Sequence, residues 1–174
     1  MRQSISDSTR MAPSGHSQDY LCVLTFCHWT LGCSVPSVFH FDANHNLLRH
    51  SFQGRLTDTA LVEGYYKAGK YVARHPPNRI ITDFSAVTSI EVSSQTVRTI
   101  ASTPPKLPVG CTRVFVTPQN SLYGMARMFQ ILAEKSRPDL RIVRTLDEAY
   151  RLLGITSADF SLVDPEDFVE DRSA

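Results

Sequence analysis

The side chains that could act as nucleophiles, bases or metal ligands in this chain are few and scattered. Three of its four cysteines, Cys22, Cys27 and Cys33, crowd into the apolar run from Tyr20 to Val35, and the fourth is Cys111. Zinc sites favour Cys pairs roughly two to four residues apart, backed by a second pair elsewhere. Here the intervening stretches are four and five residues, and His28 sits directly beside Cys27, which makes a shared tetrahedron awkward. The three cysteines therefore read as small hydrophobes and no metal is expected. The lack of a paired cysteine framework points to a reducing, cytoplasmic compartment. His40, His45 and His50 cluster around one turn, without the i, i+4 spacing of a helical metal site. They read as exposed hairpin histidines, with His40 and His50 facing each other or solvent.

Carboxylates offer little more. Asp83 is expected at the C-terminal end of a strand and Glu91 in the loop that follows, the edge where open α/β sheets bind ligands. Two carboxylates without a base to pair with, and a Cys111 with no histidine near it in sequence, do not make a catalytic set. Gly64 and Gly69 fall inside a helix and lack the Lys-Ser/Thr of a phosphate loop. Arg127 lies among Met125, Met128 and Phe129, so its head is free for an anion while its stem packs on apolar surface. The expectation is a protein that is not an enzyme and carries no cofactor.

The elements that must position these residues are readable from Ser37 to Gly154. Val38 to Phe41 and Leu47 to Phe52 flank the turn Asp42-Ala43-Asn44-His45-Asn46 and predict a hairpin, with Gly54 breaking the second strand. Thr57 is an N-cap with Asp58 in the first turn, and Leu61, Tyr65, Ala68 and Val72 make the stripe of a helix that Pro76-Pro77 ends. Arg79 to Phe84 is a buried strand, and after a loop Ser93 or Ser94 caps a short helix stopped by Pro104-Pro105. Arg113 to Thr117 is the next strand. Leu122, Met125, Ala126, Phe129, Leu132 and Ala133 stripe a helix, and Leu140 to Arg144 is the last strand. Thr145 with Glu148 forms a capping box for a final helix that Gly154 closes. The order β-β-α-β-α-β-α-β-α implies a mixed, mostly parallel sheet covered by helices.

The run Ile80 to Val97, IITDFSAVTSIEVSSQTV, resembles the central segment of STAS domains, the anti-sigma-factor-antagonist fold. Gly54-Arg55-Leu56-Thr57-Asp58 resembles that family's Gly-x-Leu-Asp lead into its first helix. The second half, with Tyr123 to Phe129 and Leu146 to Ala149, is similar to small bacterial proteins described as SpoIIAA-like. The resemblance covers about residues 37–155 and implies a regulatory module of α/β, SpoIIAA-like (STAS) fold that acts by binding a protein partner through the Ser85–Arg98 segment. In family members switched by phosphorylation the acceptor is the first Ser of Asp-Ser-Ser-Gly. Laid on that pattern, Glu91 takes the Asp position, Val92 the acceptor, Ser93 the second Ser and Ser94 the Gly. A valine cannot accept phosphate, and a one-residue slip would make Ser93 the acceptor, at a helix N-terminus suited to an anion. On this reading Asp83, Ser85, Glu91, Ser93, Ser94 and Arg127 are the candidate binding residues, and Ser93 or Ser94 serves otherwise as an N-cap. The wider superfamily includes lipid-transfer-like domains, which implies the alternative of a small-molecule or lipid-binding module in which Tyr65, Tyr66 and Tyr71 line a small apolar ligand.

Size and charge are compatible with these readings. The 174 residues suffice for one domain with spare sequence at its ends, and 42% apolar against 20% charged residues supports a packed core. A formal charge of +1 excludes a strongly basic nucleic-acid binder. No apolar run reaches the roughly 18 to 20 residues of a membrane span. Residues 1–36 read as an N-terminal extension, disordered or preceding the true start; 37–155 as the domain; and 156–174, with six acids against Arg172 alone, as a solvated acidic tail.

Overall fold

The hairpin forms as the turn residues require. Asn46, with its φ of 46°, turns the chain between β1 (Val38–Asp42) and the antiparallel β2 (Leu47–Thr57). The structure, a computed structural model, describes residues 37–107 and 110–168. The readings of residues 1–36, Cys22, Cys27 and Cys33 included, and of 169–174 lie outside the described residues.

Among the described residues, six strands make one mixed sheet in the order β5-β4-β3-β2-β1-β6. β3 (Arg79–Glu91), β4 (Thr112–Val116) and β5 (Leu140–Val143) run parallel to β2, and β6 (Ser161–Leu162) pairs antiparallel with β1. α1 (Asp58–Arg74), α2 (Ser94–Ser102) and α3 (Asn120–Leu132) cover one face through Phe52, Leu56, Phe84, Val97 and Phe129. α4 (Leu146–Leu153) covers the other, where Leu47, Ile81, Val114 and Val116 meet Ala149 and Leu153. Among the described residues no helix is long and apolar enough to cross a membrane.

The caps follow the sequence closely. Thr57, Ser93 and Thr145 each accept a backbone N–H with the side chain, and Gly154 closes α4 at φ 68°. The reciprocal arm of the last cap differs from a capping box, because Glu148 accepts from the N–H of Arg144 rather than Thr145.

Three expectations are corrected. Gly54 does not end β2; it sits inside the strand at φ 72°, beside an irregularity in the pairing with β3. β3 does not stop at Phe84 but runs on to Glu91, so no loop begins at Ser85. Its pairing steps from Ser51–Asp83 to Gln53–Ala86, and from Gly54–Val87 to Arg55–Ser89, so β3 carries one extra residue at each step. Each bulge reverses the side-chain alternation and returns Phe84, Val87 and Ile90 to the same core face. Thirdly, the acidic segment after Gly154 is not solvated throughout. Val163 is buried, Phe168 of the short 3₁₀ turn Pro165–Phe168 tilts against Phe39, and the Asp159 N–H donates to the buried Asp42 carboxylate. Burial alone would raise the Asp42 pKa, but His45 and that N–H hold it below the usual carboxylate range.

Candidate functional site

Between the sheet and the three-helix layer lies a partly open cavity of about 160 Å³. Its floor is the helix-covered face of β2, β3, β4 and β5, where side chains alternate with those facing α4. Phe52, Phe84 and Phe115 run across that floor, with Phe52 stacked on Phe84 at 5.2 Å and Phe115 edge-on to Phe84 at 6.0 Å. Tyr65 and Ala68 of α1, Val97 and Ile100 of α2, and Met125, Ala126 and Phe129 of α3 form the walls. An engineered apolar cavity of about 150 Å³ stays dry and takes up benzene, so the size is sufficient for a small organic body.

One floor residue does not belong in such a lining. Arg113 is the second residue of β4, between Ile80 and Leu140 on the neighbouring strands, and is only 9% exposed. Its Nε and Nη1 have no hydrogen-bond partner, and no carboxylate lies within ion-pair reach of it among the described residues. Burial presses its pKa below the ordinary value, the charge of Arg137 adds to this, and Cys111 and Asp139 oppose it. A guanidinium remains protonated regardless, and burying one without a partner costs several kcal/mol.

Arg137, also buried at the cavity, is satisfied. Its guanidinium donates to the carbonyls of Ile100 (3.4 Å), Ala101 (3.0 Å) and Thr103 (2.8 Å), and thereby caps the C-terminus of α2. Further bonds go to Ser136 Oγ and the Tyr65 hydroxyl. His50 faces the cavity from β2 with its Nε2 unpartnered. It is buried, not an exposed hairpin histidine, and it opposes Phe39 across the strands rather than His40. Its ring stacks on Phe39 at 4.0 Å, and burial, with a smaller contribution from Lys67, pushes its pKa down to about 3. It is neutral at physiological pH.

The residues singled out from sequence are placed elsewhere, at three separate locations. Asp83 is in the middle of β3, on the α4 face, where its carboxylate accepts from Arg49 at 2.5 and 3.2 Å and from the Ser85 N–H at 2.9 Å. Glu91 ends β3, eight residues further on or about 26 Å along an extended chain. The two carboxylates therefore do not flank one pocket. Glu91 is exposed and 3.4 Å from Arg55. Ser93 caps α2 by accepting from the Thr96 N–H, and its own N–H donates to Asp58 at 2.7 Å. That bond holds the Asp58 pKa below the usual carboxylate range. Ser94, the exposed first residue of α2, lies beside it. Arg127 is exposed on α3 and donates to the Gln130 side chain. Burial raises the Cys111 thiol, although Arg113 opposes this, so it is no activated nucleophile.

The cavity residues Arg113, Arg137 and His50 escaped the sequence reading. A signal existed for the first: Arg113 and Phe115 share one face of β4, and Val114 and Val116 share the other. Both faces of that strand are covered, so an arginine there is out of pattern. Among the described residues no three His, Cys, Asp or Glu side chains gather as a metal group. No protein-family model matches the chain, and no curated protein matches it.

Proposed function

We propose that this protein is a non-enzymatic binding module of STAS-like, SpoIIAA-like type, acting in the reducing cytoplasm, whose cavity between the sheet and α1–α3 takes up a small apolar ligand. The observation that carries this reading is the aromatic-floored space of about 160 Å³, where native cores ordinarily hold few voids larger than a water molecule. The STAS-like assignment draws its support from the leading hairpin, the alternating β/α units that follow, and the cap at Ser93. A cavity kept open weakens the fold, because every missing contact is lost dispersion energy, so its maintenance argues for an occupant.

The test uses benzene as the probe on the full chain. Benzene is expected to raise the thermal midpoint in a concentration-dependent way, since a ligand that binds only the folded state stabilises it. Ala126→Phe, which fills the space from α3, should fold and lose that response. A wild-type midpoint indifferent to benzene contradicts the reading.

Binding of a protein partner through Ser85–Arg98 is the second reading. It is favoured by the shallow exposed groove of Gln95, Arg98, Thr99, Ser102 and Leu132 on α2 and α3. In this reading a phosphate on the exposed Ser93 would break its clasp with Asp58 by like-charge repulsion and loosen the start of α2. An Arg98→Glu variant that still captures the partner from native cells argues against it.

A further inference from the structure

We infer that the cavity ligand carries a single negative charge, and that Arg113 is the residue that holds it: the ligand class is a small monocarboxylate with a compact, preferably aromatic, body. The inference rests on the cavity reading and adds the chemistry of the head group.

The charge inventory of the cavity is one-sided. Arg113, Arg137 and Lys106 line it, and no aspartate or glutamate does. Of the two buried guanidiniums, Arg137 spends its N–H groups on carbonyls and hydroxyls, as described, and Lys106 is exposed with its ammonium 5.8 Å from the Tyr66 ring. Among the described cations of the lining, Arg113 alone is buried with open donors, on Nε and Nη1, its charge favoured within the chain only by Cys111 and Asp139. Native proteins pair nearly all such groups, and an arginine left open in an apolar wall is a donor set waiting for an anion. The two guanidiniums also repel one another, a repulsion that a bound anion would relieve.

The lining beyond Arg113 narrows the class. In the next row of side chains along the same face, Thr82 and His50 stand side by side on β3 and β2, so polar groups run diagonally across a floor that is otherwise apolar. Neutral His50, with Nε2 free, can bond a ligand oxygen but adds no positive charge. One available cation matches one negative charge; a dianionic head would bring a second charge with no buried partner. The Phe52, Phe84, Phe115 and Phe129 rings favour stacked or edge-on contact with a flat body.

Benzoate and benzyl alcohol, which share a ring and differ in charge, separate this inference from the reading beneath it. Isothermal titration of the full chain should give benzoate an affinity roughly tenfold or more above benzyl alcohol, the ratio that a charged hydrogen bond provides. In Arg113→Met the two affinities should converge, with benzyl alcohol binding retained as evidence that the cavity is intact. Equal affinities in the wild type overturn the carboxylate assignment and leave the apolar cavity standing. Binding of neither compound overturns both. A preference for benzoate that survives Arg113→Met removes Arg113 from its role. Should that variant fail to fold, Arg113→Lys, which keeps the charge and loses the planar donor fork, is expected to weaken benzoate while leaving benzyl alcohol unchanged.

Discussion

Each face of the sheet carries an arginine, and the two arginines are treated oppositely. On the α4 face Arg49 meets Asp83 at 2.5 Å, leans over the Phe160 ring at 5.9 Å, and keeps part of its side chain in solvent. On the cavity face Arg113 has no carboxylate in ion-pair contact among the described residues, only the influence of Asp139 nearby, with less solvent and apolar residues on both neighbouring strands. The first arrangement is complete within the chain and serves the fold. The second is complete only with something added. A protein that can build an Arg–Asp pair on one face, yet leaves the equivalent charge open on the other, has a use for the open one.

Substitutions can break or sharpen this contrast. Removing the partner on the completed face should cost most: Asp83→Ala strands Arg49 and is expected to lower the denaturant-derived stability by about 3 kcal/mol, the low end for a broken buried pair because Arg49 is partly exposed. An unchanged midpoint would mean that the pair is ornamental. On the cavity face, His50 has a folded pKa near 3 against an ordinary 6.5, so the unfolded chain binds the extra proton between those values. Its contribution is therefore complete above pH 6.5 and is lost as pH falls towards 3, by about 2 kcal/mol between pH 6.5 and 4.5. His50→Phe should flatten that part of a stability-against-pH curve. Arg113→Met reverses the sign seen at Asp83: without ligand it should stabilise the protein by about 1–2 kcal/mol, because an unpaired charge leaves the core. A loss of stability there would show that Arg113 is as much a structural residue as Arg49. The smallest effect lies at the sheet's edge, where Ser93→Ala removes the α2 cap and should cost about 1 kcal/mol by the same measurement.

Much of the fold was legible because it is announced locally. Thr57, Ser93, Thr145 and Gly154 mark helix ends through their own backbone chemistry, and the apolar stripes of α1 and α3 carry a helical period. β3 beyond Phe84 was hidden for a definable reason. Its core residues Phe84, Val87 and Ile90 recur every three positions, a spacing that matches a strand only if a bulge separates each pair. β6 was hidden because two residues carry no period, and its pairing with β1 depends on a distant contact. The candidate site was the least legible part. Arg113 and His50 were visible as residues, but a cavity is a property of how far α1, α2 and α3 stand from the sheet, which no local pattern encodes. Asp83 drew notice as an acid at the C-terminal end of a strand, beside a pocket; it is instead buried within β3, paired to an Arg49 that lies 34 positions away.

The central claim, that Arg113 is open in order to receive an anion, is tested most directly by following its own N–H. In ¹H–¹⁵N spectra of arginine side chains, the Nε–H signal absent from Arg113→Met identifies the residue in the wild type. Addition of benzoate should shift that signal along a saturating curve whose affinity equals the calorimetric one, while benzyl alcohol leaves it nearly still. A signal that does not move while benzoate demonstrably binds would contradict the claim, and Arg113 would then be an uncompensated charge in the core with no ligand to explain it.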